Sequence, residues 1–265
     1  ENHVNFSCEA SVGGGIPILM PLHQSLAANQ IESIVGILNG TTNYILSQMT
    51  ETGVNYANAL ADAQKQGFAE ADPTNDVCGF DAARKLAILS SIGFRANVTF
   101  DDVLVEGIEK IDKSDIQYAK DMGYTIKLLT VALRQENGIA LNVYPAFLPD
   151  NHPLSSVKGA YNAIYVTGNI VDDVMFYGRG AGALPTASAV MGDVISTAQH
   201  ILNGSTGTGM IMTDTKRIPF YSSLKLQNSY YFRLDVDDVT GVLSQIAAAF
   251  AENDISICEV VQKRK

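Results

Sequence analysis

Four stretches that alternate between apolar and polar residues follow one another in the middle of the chain, between Tyr124 and Tyr177. They cover residues 127–133, 139–147, 160–166 and 172–177. Alternation with a period of two is typical of strands that bury one face. The pattern therefore predicts strands of one sheet, and such a sheet needs helices or a second layer to cover its apolar face.

Helical patterns precede and follow the predicted strands. The apolar spacing predicts four helices, over residues 18–28, 43–50, 56–66 and 186–202. Further strands are predicted over residues 5–10 and 32–38. The turn Asn39-Gly40-Thr41-Thr42 can cap the helix that follows it. The predicted fold class is therefore α+β, a mixed β-sheet with packed helices.

The composition excludes several classes of protein. Of the 265 residues, 46% are hydrophobic and 17% are charged, so the chain can bury a large core and is not intrinsically disordered. The formal net charge of −10 argues against a surface for nucleic acid or for an anionic membrane. No apolar stretch approaches the ~18 residues of a membrane span, and three scattered cysteines favour a reducing compartment. We therefore expect a cytoplasmic protein without nucleic-acid or membrane partners.

The sequence predicts two domains joined by a linker. Residues 1–205 hold the predicted sheet, residues 206–229 form the linker, and residues 230–265 carry a second pattern. That pattern is a strand at 230–236, a helix at 242–253 and a strand at 255–262, which is half of a ferredoxin-like unit. Because the first residue is Glu1 and the second pattern stops halfway, we expect that the chain is cut at both ends.

An acidic loop that leads into an apolar helix is the strongest chemical signal in the sequence. Four carboxylates lie within residues 70–81, and Lys85 follows one helical turn after the last of them, Asp81. On an exposed helix these two residues form a surface ion pair that contributes only ~0.3–0.5 kcal/mol. Lys85 is flanked by Ala82 and Leu86, however, and a buried lysine needs carboxylate partners to stay charged. Such a site offers carboxylates for a substrate ammonium group and a proton donor for an oxyanion, and the residues alone leave both interpretations open.

Two glycine-rich turns each precede a predicted helix. Residues 178–182 read G-R-G-A-G after a strand, and the third glycine comes one residue early for a dinucleotide-binding G-x-G-x-x-G turn. The N–H groups of this turn could still contact part of a cofactor that is bound mainly elsewhere. Residues 11–15 read S-V-G-G-G, and their carbonyl oxygens together with Glu9 could bind a hard cation. A simple tight turn is the alternative at both places.

Four motifs taken together resemble those of homoserine dehydrogenase. They are E-A-S-V-G-G-G-I-P-I from Glu9, G-I-L-N-G-T-T-N-Y-I-L from Gly36, G-F-A-E-A-D-P-T-N-D-V-C-G-F-D-A-A-R-K-L from Gly67, and F-Y-G-R-G-A-G-A-L-P-T-A from Phe176. They occur in the order that the family has, over residues 5–202. The segment from Tyr230 resembles the start of an ACT domain, a small amino-acid-sensing module, with Thr240 where the ACT turn usually has proline.

The resemblance implies an NAD(P)-dependent oxidoreductase that interconverts L-aspartate 4-semialdehyde and L-homoserine, on the route to threonine, methionine and isoleucine. It implies that Lys85 donates a proton to the aldehyde oxygen and that Asp81 hydrogen-bonds the substrate oxygen. The other implied residues are the substrate-binding Glu70, Asp76, Gly40 and Thr41, the cofactor-binding Gly67 and Gly182, and the cation ligands Glu9, Val12, Gly14 and Ile16. By the same resemblance the cofactor is NADP or NAD and the monovalent cation is sodium.

The resemblance also implies a nucleotide-binding Rossmann domain before Glu9, and the residues that precede Glu9 are too few to form one. We therefore expect this chain to be inactive alone. We expect the longer parent to form a homo-oligomer, a dimer or tetramer, with threonine as an effector. The alternative is a non-catalytic module that binds amino acids for regulation or oligomerisation. Threonine binding separates the two, because a sensor would bind threonine even when Lys85 is replaced.

Overall fold

The computed structural model describes residues 4–206, 218–221 and 226–262. By its internal contacts the chain divides into two compact units, Glu1–Gln227 and Asn228–Lys265. The described part of the first unit holds the sheet and the four motifs, and that of the second holds one helix.

The first unit is built on a mixed sheet, which has six strands in the described residues. They are β1 (Ile31–Ile37), β2 (Leu104–Val105), β3 (Tyr124–Gln135), β4 (Gly138–Pro149), β5 (Tyr161–Gly168) and β6 (Asp172–Arg179). Their order is β2-β4-β3-β1-β5-β6; β2 and β4 are parallel, and the other neighbours are antiparallel. The strands predicted from alternation form two hairpins, β3–β4 and β5–β6, and β1 lies between the hairpins. The predicted mixed sheet and α+β class are confirmed.

The described residues contain seven α-helices. They are α1 (Gly40–Thr52), α2 (Tyr56–Lys65), α3 (Thr74–Val77), α4 (Phe80–Phe94), α5 (Lys113–Asp121), α6 (Ala183–Leu202) and α7 (Val242–Glu252). Helices α1, α4 and α5 contact the sheet, and their apolar side chains form the main core with one face of the strands. None of these helices is both long enough and apolar enough to cross a membrane.

Helix α1 begins at a capped turn, as the sequence predicts. Asn39 has an extended backbone, and its side-chain oxygen accepts a hydrogen bond of 2.9 Å from the N–H of Thr42. The helix starts at Gly40, three residues before the predicted start, and it ends at Thr52, followed by the C-cap Gly53, whose φ is +69°. The helices predicted over residues 56–66 and 186–202 are confirmed as α2 and α6.

The opposite face of the sheet carries a second, smaller apolar cluster. Its buried members are Ile37, Leu129, Val131, Leu148, Leu154, Val157 and Ala163. Tyrosine side chains at positions 144, 161 and 165 pack against this cluster and stay partly exposed. This face is therefore apolar and only partly covered by the described residues of the first unit.

Of the two N-terminal predictions, the strand is wrong and the helix is shorter than predicted. Within residues 5–10, predicted as a strand, the chain turns at Cys8, whose carbonyl accepts hydrogen bonds from the N–H and hydroxyl groups of Ser11. The helix predicted over residues 18–28 is reduced to a short segment with a π-helical turn at Pro21–Ser25. The buried carboxylate of Glu9 accepts the N–H groups of residues 18–20, so it caps the start of this helical segment and folds the intervening residues back against it.

In the second unit the predicted helix is present as α7, which follows Gly241. The strands predicted at 230–236 and 255–262 were wrong, since these described residues form no strand. Extended, apolar sequence is not sufficient for pairing, because a two-stranded ladder is marginal without a third strand or a covering layer. Of the predicted linker, residues 207–217 and 222–225 lie outside the described residues.

Candidate active site

The acidic loop ends in a break between two helices. Helix α3 carries Asp76, Gly79 adopts a φ of +83°, and α4 then begins with Asp81 in its first turn. Lys85 lies one turn further along α4, and its Nζ atom is 2.7 Å from Oδ2 of Asp81. The Lys85 and Asp81 side chains are 21% and 31% exposed, so the pair is partly buried.

Lys85 has a second partner in the backbone after β1. Its Nζ atom donates to the carbonyl oxygen of Leu38 at 3.1 Å. An ammonium group has three N–H donors, and Asp81 and Leu38 use two of them. In the described part of the chain the structure gives Nζ no third partner. One N–H of Lys85 is therefore available to an oxygen atom of a ligand.

Asn39 connects the two carboxylates of the site. Its Nδ2 atom donates to Oδ1 of Asp76 at 2.7 Å and to Oδ2 of Asp81 at 2.9 Å. Asn39 is 5% exposed, and its other amide atom caps α1. The sequence predicts Asn39 only as part of a capping turn, and this contact was not predicted. The signal that could have found it is chemical, because asparagine has two N–H donors in addition to the acceptor that serine and aspartate also offer.

Two other titratable groups of the acidic loop are turned away from this cluster. The hydroxyl and N–H groups of Thr74 hold the pKa of Asp72 below its ordinary value, because they hydrogen-bond its carboxylate. A hydrogen bond to Glu109, together with burial, raises the pKa of the Cys78 thiol to about 11. Cys78 is therefore protonated at neutral pH and is not a nucleophile.

Thr41 ties α1 to the loop that begins at Gly67. Its hydroxyl group donates to the carbonyl oxygen of Phe68 at 2.6 Å, and its side chain is buried. The Phe68 ring lies against that of Tyr44, with 4.6 Å between centroids. Gly67 is exposed, and its φ of +76° favours glycine. The hydrogen bond from Thr41 thus places the start of α1 beside the loop that contains Gly67.

Gly40 and Glu70, two further predicted substrate-binding residues, differ in their surroundings. A side chain at Gly40 would approach the carbonyl oxygen of Ala160 to 2.9 Å, so glycine allows α1 and the start of β5 to lie close together. Glu70 is exposed, and its backbone carbonyl accepts a hydrogen bond from Gln64. In the described residues the hydrogen-bonded cluster therefore joins Asp76, Asp81 and Lys85 but not Glu70.

The two glycine-rich turns pack directly on each other, although they are far apart in the sequence. The N–H of Gly15 donates to the carbonyl oxygen of Arg179 at 3.1 Å. Gly14 has a φ of +54°, and a methyl group added there would collide with the carbonyl oxygen of Gly180. Gly182, with a φ of +122°, ends the second turn as the N-cap of α6. The predicted cation and cofactor turns are therefore one structural unit.

The predicted cation ligands, Glu9, Val12, Gly14 and Ile16, lie within and beside the first of these turns. The carboxylate of Glu9 is already used, because it accepts the N–H groups of residues 18–20 at 2.5 to 2.9 Å. The side chains of Val12 and Ile16 are buried in the core. The main-chain carbonyl oxygens of the four residues are therefore the candidate ligands, and hard cations accept such donors. No group of three or more His, Cys, Asp or Glu side chains within the described residues could hold a metal ion.

Gly67 and Gly182 fit the close approach of a cofactor. Both are exposed, and a side chain at Gly67 would meet no atom within 4 Å. The first turn of α6, which follows Gly182, has no acidic residue. Its N–H groups therefore favour an anionic group such as a phosphate.

Helix α6 has no buried residue, although much of it is apolar. Its most exposed apolar side chains include Leu184, Met191, Ile195, Ile201 and Leu202. The helix is held to the segment just before the first glycine-rich turn by Asp193, whose carboxylate accepts the N–H of Glu9 at 2.9 Å. Helix α6 therefore presents apolar surface that the described part of the first unit leaves uncovered.

Comparison with known sequences gives a family match. Residues 17–195 match the family homoserine dehydrogenase. The homoserine dehydrogenase of Mycobacterium tuberculosis H37Rv is 47% identical over 266 aligned residues, which cover 98% of this chain and 60% of the relative. That of Bacillus subtilis is 42% identical over 262 aligned residues, with 99% and 60% coverage. This chain thus spans about 60% of the length of these curated relatives.

Solved structures give the same result. A homoserine dehydrogenase from Thiobacillus denitrificans superposes with a TM-score of 0.89 at 40% identity, over 96% of this chain and 60% of that one. A homoserine dehydrogenase from S. aureus at pH 7.5 superposes with a TM-score of 0.67 at 33% identity, over 89% of this chain and 56% of that one.

Proposed function

The chain belongs to the homoserine dehydrogenase family, and we propose that it provides the substrate-binding and proton-donating part of an NAD(P)-dependent enzyme. The proposed reaction is the reversible reduction of L-aspartate 4-semialdehyde to L-homoserine. The observation that carries this proposal is the hydrogen-bonded cluster of Asn39, Asp76, Asp81 and Lys85. Family membership indicates the reaction, and the cluster offers the groups that its polar steps need.

The carboxylates of the cluster suit the ammonium group and the oxygen of an amino-acid substrate. Asp81 uses Oδ2 for Lys85 and Asn39, and Asp76 uses Oδ1 for Asn39. The second oxygen of each carboxylate can then accept a hydrogen bond from the substrate. In this proposal Asp81 hydrogen-bonds the reacting oxygen. Asp76 and Glu70, together with Gly40 and Thr41, line the substrate position.

Lys85 is the proposed proton donor. A nicotinamide cofactor, when bound, would supply a hydride, and the aldehyde oxygen of the substrate would then need a proton. The third N–H of Lys85 can donate that proton, while Asp81 and the carbonyl of Leu38 orient the ammonium group. In the oxidation direction Lys85 takes the proton back from the hydroxyl group of homoserine. A general acid of this kind contributes roughly 10²–10⁴-fold to the rate.

The glycine-rich turns are the proposed cofactor and cation contacts. We propose that Gly67 and Gly182 allow NADP or NAD to approach the cluster, with the rest of the cofactor bound by the portion of the family's length that this chain does not span. The main-chain carbonyls of Glu9, Val12, Gly14 and Ile16 are the proposed ligands of a sodium ion. The tight packing of the two turns supports a shared role, because a cation bound in the first turn would also hold the second.

We also propose an oligomer surface, a domain arrangement and a cellular location for this chain. The apolar sheet face opposite α1 and α4 is the proposed surface for a homodimer or tetramer, since it is only partly covered. Residues 1–205 form the proposed catalytic domain, 206–229 the linker, and 230–265 the first half of an ACT domain with threonine as the effector. A cytoplasmic location agrees with the scattered cysteines.

Calorimetric titration with L-homoserine tests the substrate site. The proposal predicts measurable binding to this chain and at least a tenfold loss of affinity in Asp81→Asn, because the substitution removes the charge that holds Lys85 and the substrate. Asp101→Asn is the matched control, since Asp101 is exposed in the 3-10 helix Phe100–Asp102. Equal affinities for the native chain and Asp81→Asn would refute the proposed site.

A further inference from the structure

Asn39 caps the N-terminus of α1 and also contacts the carboxylates of Asp76 in α3 and Asp81 in α4. Its Oδ1 atom accepts hydrogen bonds from the N–H and the hydroxyl group of Thr42, at 2.9 and 3.0 Å. Its Nδ2 atom donates to Asp76 and Asp81. Both ends of one small amide group, 5% exposed, are therefore in use.

The α1 cap fixes the direction of this amide. A rotation by 180° would turn Oδ1 toward two carboxylate oxygens and would place N–H donors against the N–H of Thr42. Both new contacts would be repulsive, so the cap keeps Nδ2 directed at the carboxylates. The backbone of α1 thereby specifies which end of the side chain faces α3 and α4.

Asn39 also offsets the repulsion between the two carboxylates. Asp76 and Asp81 each lie within 3 Å of the same nitrogen atom, so their charged groups are neighbours. Like charges at this separation repel, and a shared donor between them reduces that cost. Lys85 reaches the same oxygen of Asp81 that Asn39 does. Any movement of that oxygen therefore moves the partner of Lys85 as well.

We infer that Asn39 is a positioning residue, which holds Asp81 against Lys85 and keeps the second oxygens of Asp81 and Asp76 directed at the ligand. The part of this inference that concerns the ligand rests on the proposed function. The part that concerns the contact between Asp81 and Lys85 is independent of the proposed function. Other good helix caps, serine and aspartate, would preserve α1 but would not bridge the carboxylates.

Two cap-preserving variants separate positioning from stability. Asn39→Ser keeps an acceptor for the N–H of Thr42 and removes the bridge. Asn39→Asp keeps the cap and replaces the donor by a negative charge. Asn55→Ser is the matched control, because Asn55 caps α2 in the same way, accepting the N–H of Asn58 at 2.9 Å in an exposed position. Thermal unfolding of each variant checks that the fold is retained.

The first measurement is the acylation rate of the Lys85 amine by acetic anhydride, followed by mass spectrometry. Asn39→Ser should raise this rate at least threefold, because Asp81 is released. Asn39→Asp should lower it, because an added carboxylate near the amine holds the ammonium form more firmly. General loosening of the fold would raise the rate in both variants. Lys158, which pairs with Glu51, is the internal reference.

The second measurement is calorimetry with L-homoserine on the same variants. Asn39→Ser should bind at least tenfold more weakly than the native chain, and Asn55→Ser should bind equally well. If the native chain does not bind homoserine while the acylation rates change as expected, the proposed function fails and the positioning role stands. Unchanged acylation in both Asn39 variants, or an increase in both, overturns the inference.

Discussion

The backbone N–H of Gly15 donates a hydrogen bond of 3.1 Å to the carbonyl oxygen of Arg179. This bond joins two glycine-rich turns that are far apart in the sequence of the first unit. One turn carries the proposed cation ligands, and the other leads into α6 at Gly182. A change in either turn therefore acts on the other, and this coupling can be measured.

Gly14→Ala should separate the two turns. The added methyl group would collide with the carbonyl oxygen of Gly180, and the φ of +54° is unfavourable for alanine. We expect a loss of about 2–4 kcal/mol in the free energy of unfolding, from backbone strain and overpacking together. Gly53→Ala is the control, since its φ is +69° but no atom lies within 4 Å of the added group. Urea unfolding should show a loss of only about 1–2 kcal/mol there, from the left-handed backbone alone, and equal losses in the two variants would rule out the steric explanation.

Glu9→Gln should destabilise the first unit through the backbone rather than through a metal. The carboxylate accepts three N–H groups from residues 18–20, and Glu9 is 6% exposed. The substitution leaves one acceptor oxygen and places N–H donors against N–H groups. We expect a loss of about 2–4 kcal/mol in urea unfolding, with no added cation present. Glu32→Gln, on an exposed position of β1, should change the free energy of unfolding by less than about 0.5 kcal/mol. A Glu9 variant as stable as the native chain would contradict this role.

Lys127 should make the native chain more stable as the pH rises from 8 to 10. Burial lowers the pKa of Lys127 from 10.5 to about 8, and its Nζ atom donates to Asn43 and to the carbonyl of Val157. Between these pH values the unfolded chain binds more protons than the folded chain does. The free energy of unfolding therefore increases with pH, by up to about 3 kcal/mol in total.

Lys127→Met isolates this effect. The variant has no amine to titrate, so the difference in unfolding free energy between the native chain and the variant should shift in favour of the native chain between pH 7 and pH 10. The pH dependence of the difference is decisive, because the substitution also leaves the acceptors at Asn43 and Val157 without a donor. Parallel stability curves over this pH range would mean that Lys127 is not a buried, titrating amine.

The sheet could be predicted from the sequence where its signal is local. Alternation within residues 124–177 located both hairpins, because each hairpin pairs neighbouring segments. The insertion of β1 between them could not be predicted, since it depends on the pairing of Ile34 with Ala132 and Val166, far away in the chain. The short N-terminal strand was predicted wrongly, because the sequence pattern does not show that the Glu9 carboxylate binds backbone N–H groups nine or more residues away.

In the candidate site, too, local contacts could be predicted from the sequence and long-range contacts could not. The spacing of Asp81 and Lys85 on one helix predicted their contact, since residues four apart lie on one helix face. The bridge from Asn39 could not be predicted, because it requires the start of α1 to meet α3 and α4. The contact between the two glycine-rich turns was also missed, since neither turn contains a signal that refers to the other.

The most direct test of the central claim is turnover by this chain fused to the nucleotide-binding domain of a family member. The account predicts NADPH-dependent reduction of L-aspartate 4-semialdehyde and a fall in kcat of roughly 10²–10⁴-fold in Lys85→Met, with a much smaller change in KM. The exposed Lys113, in the first turn of α5, provides the control Lys113→Met. A Lys85→Met fusion that reduces the semialdehyde as fast as the native fusion would contradict the account.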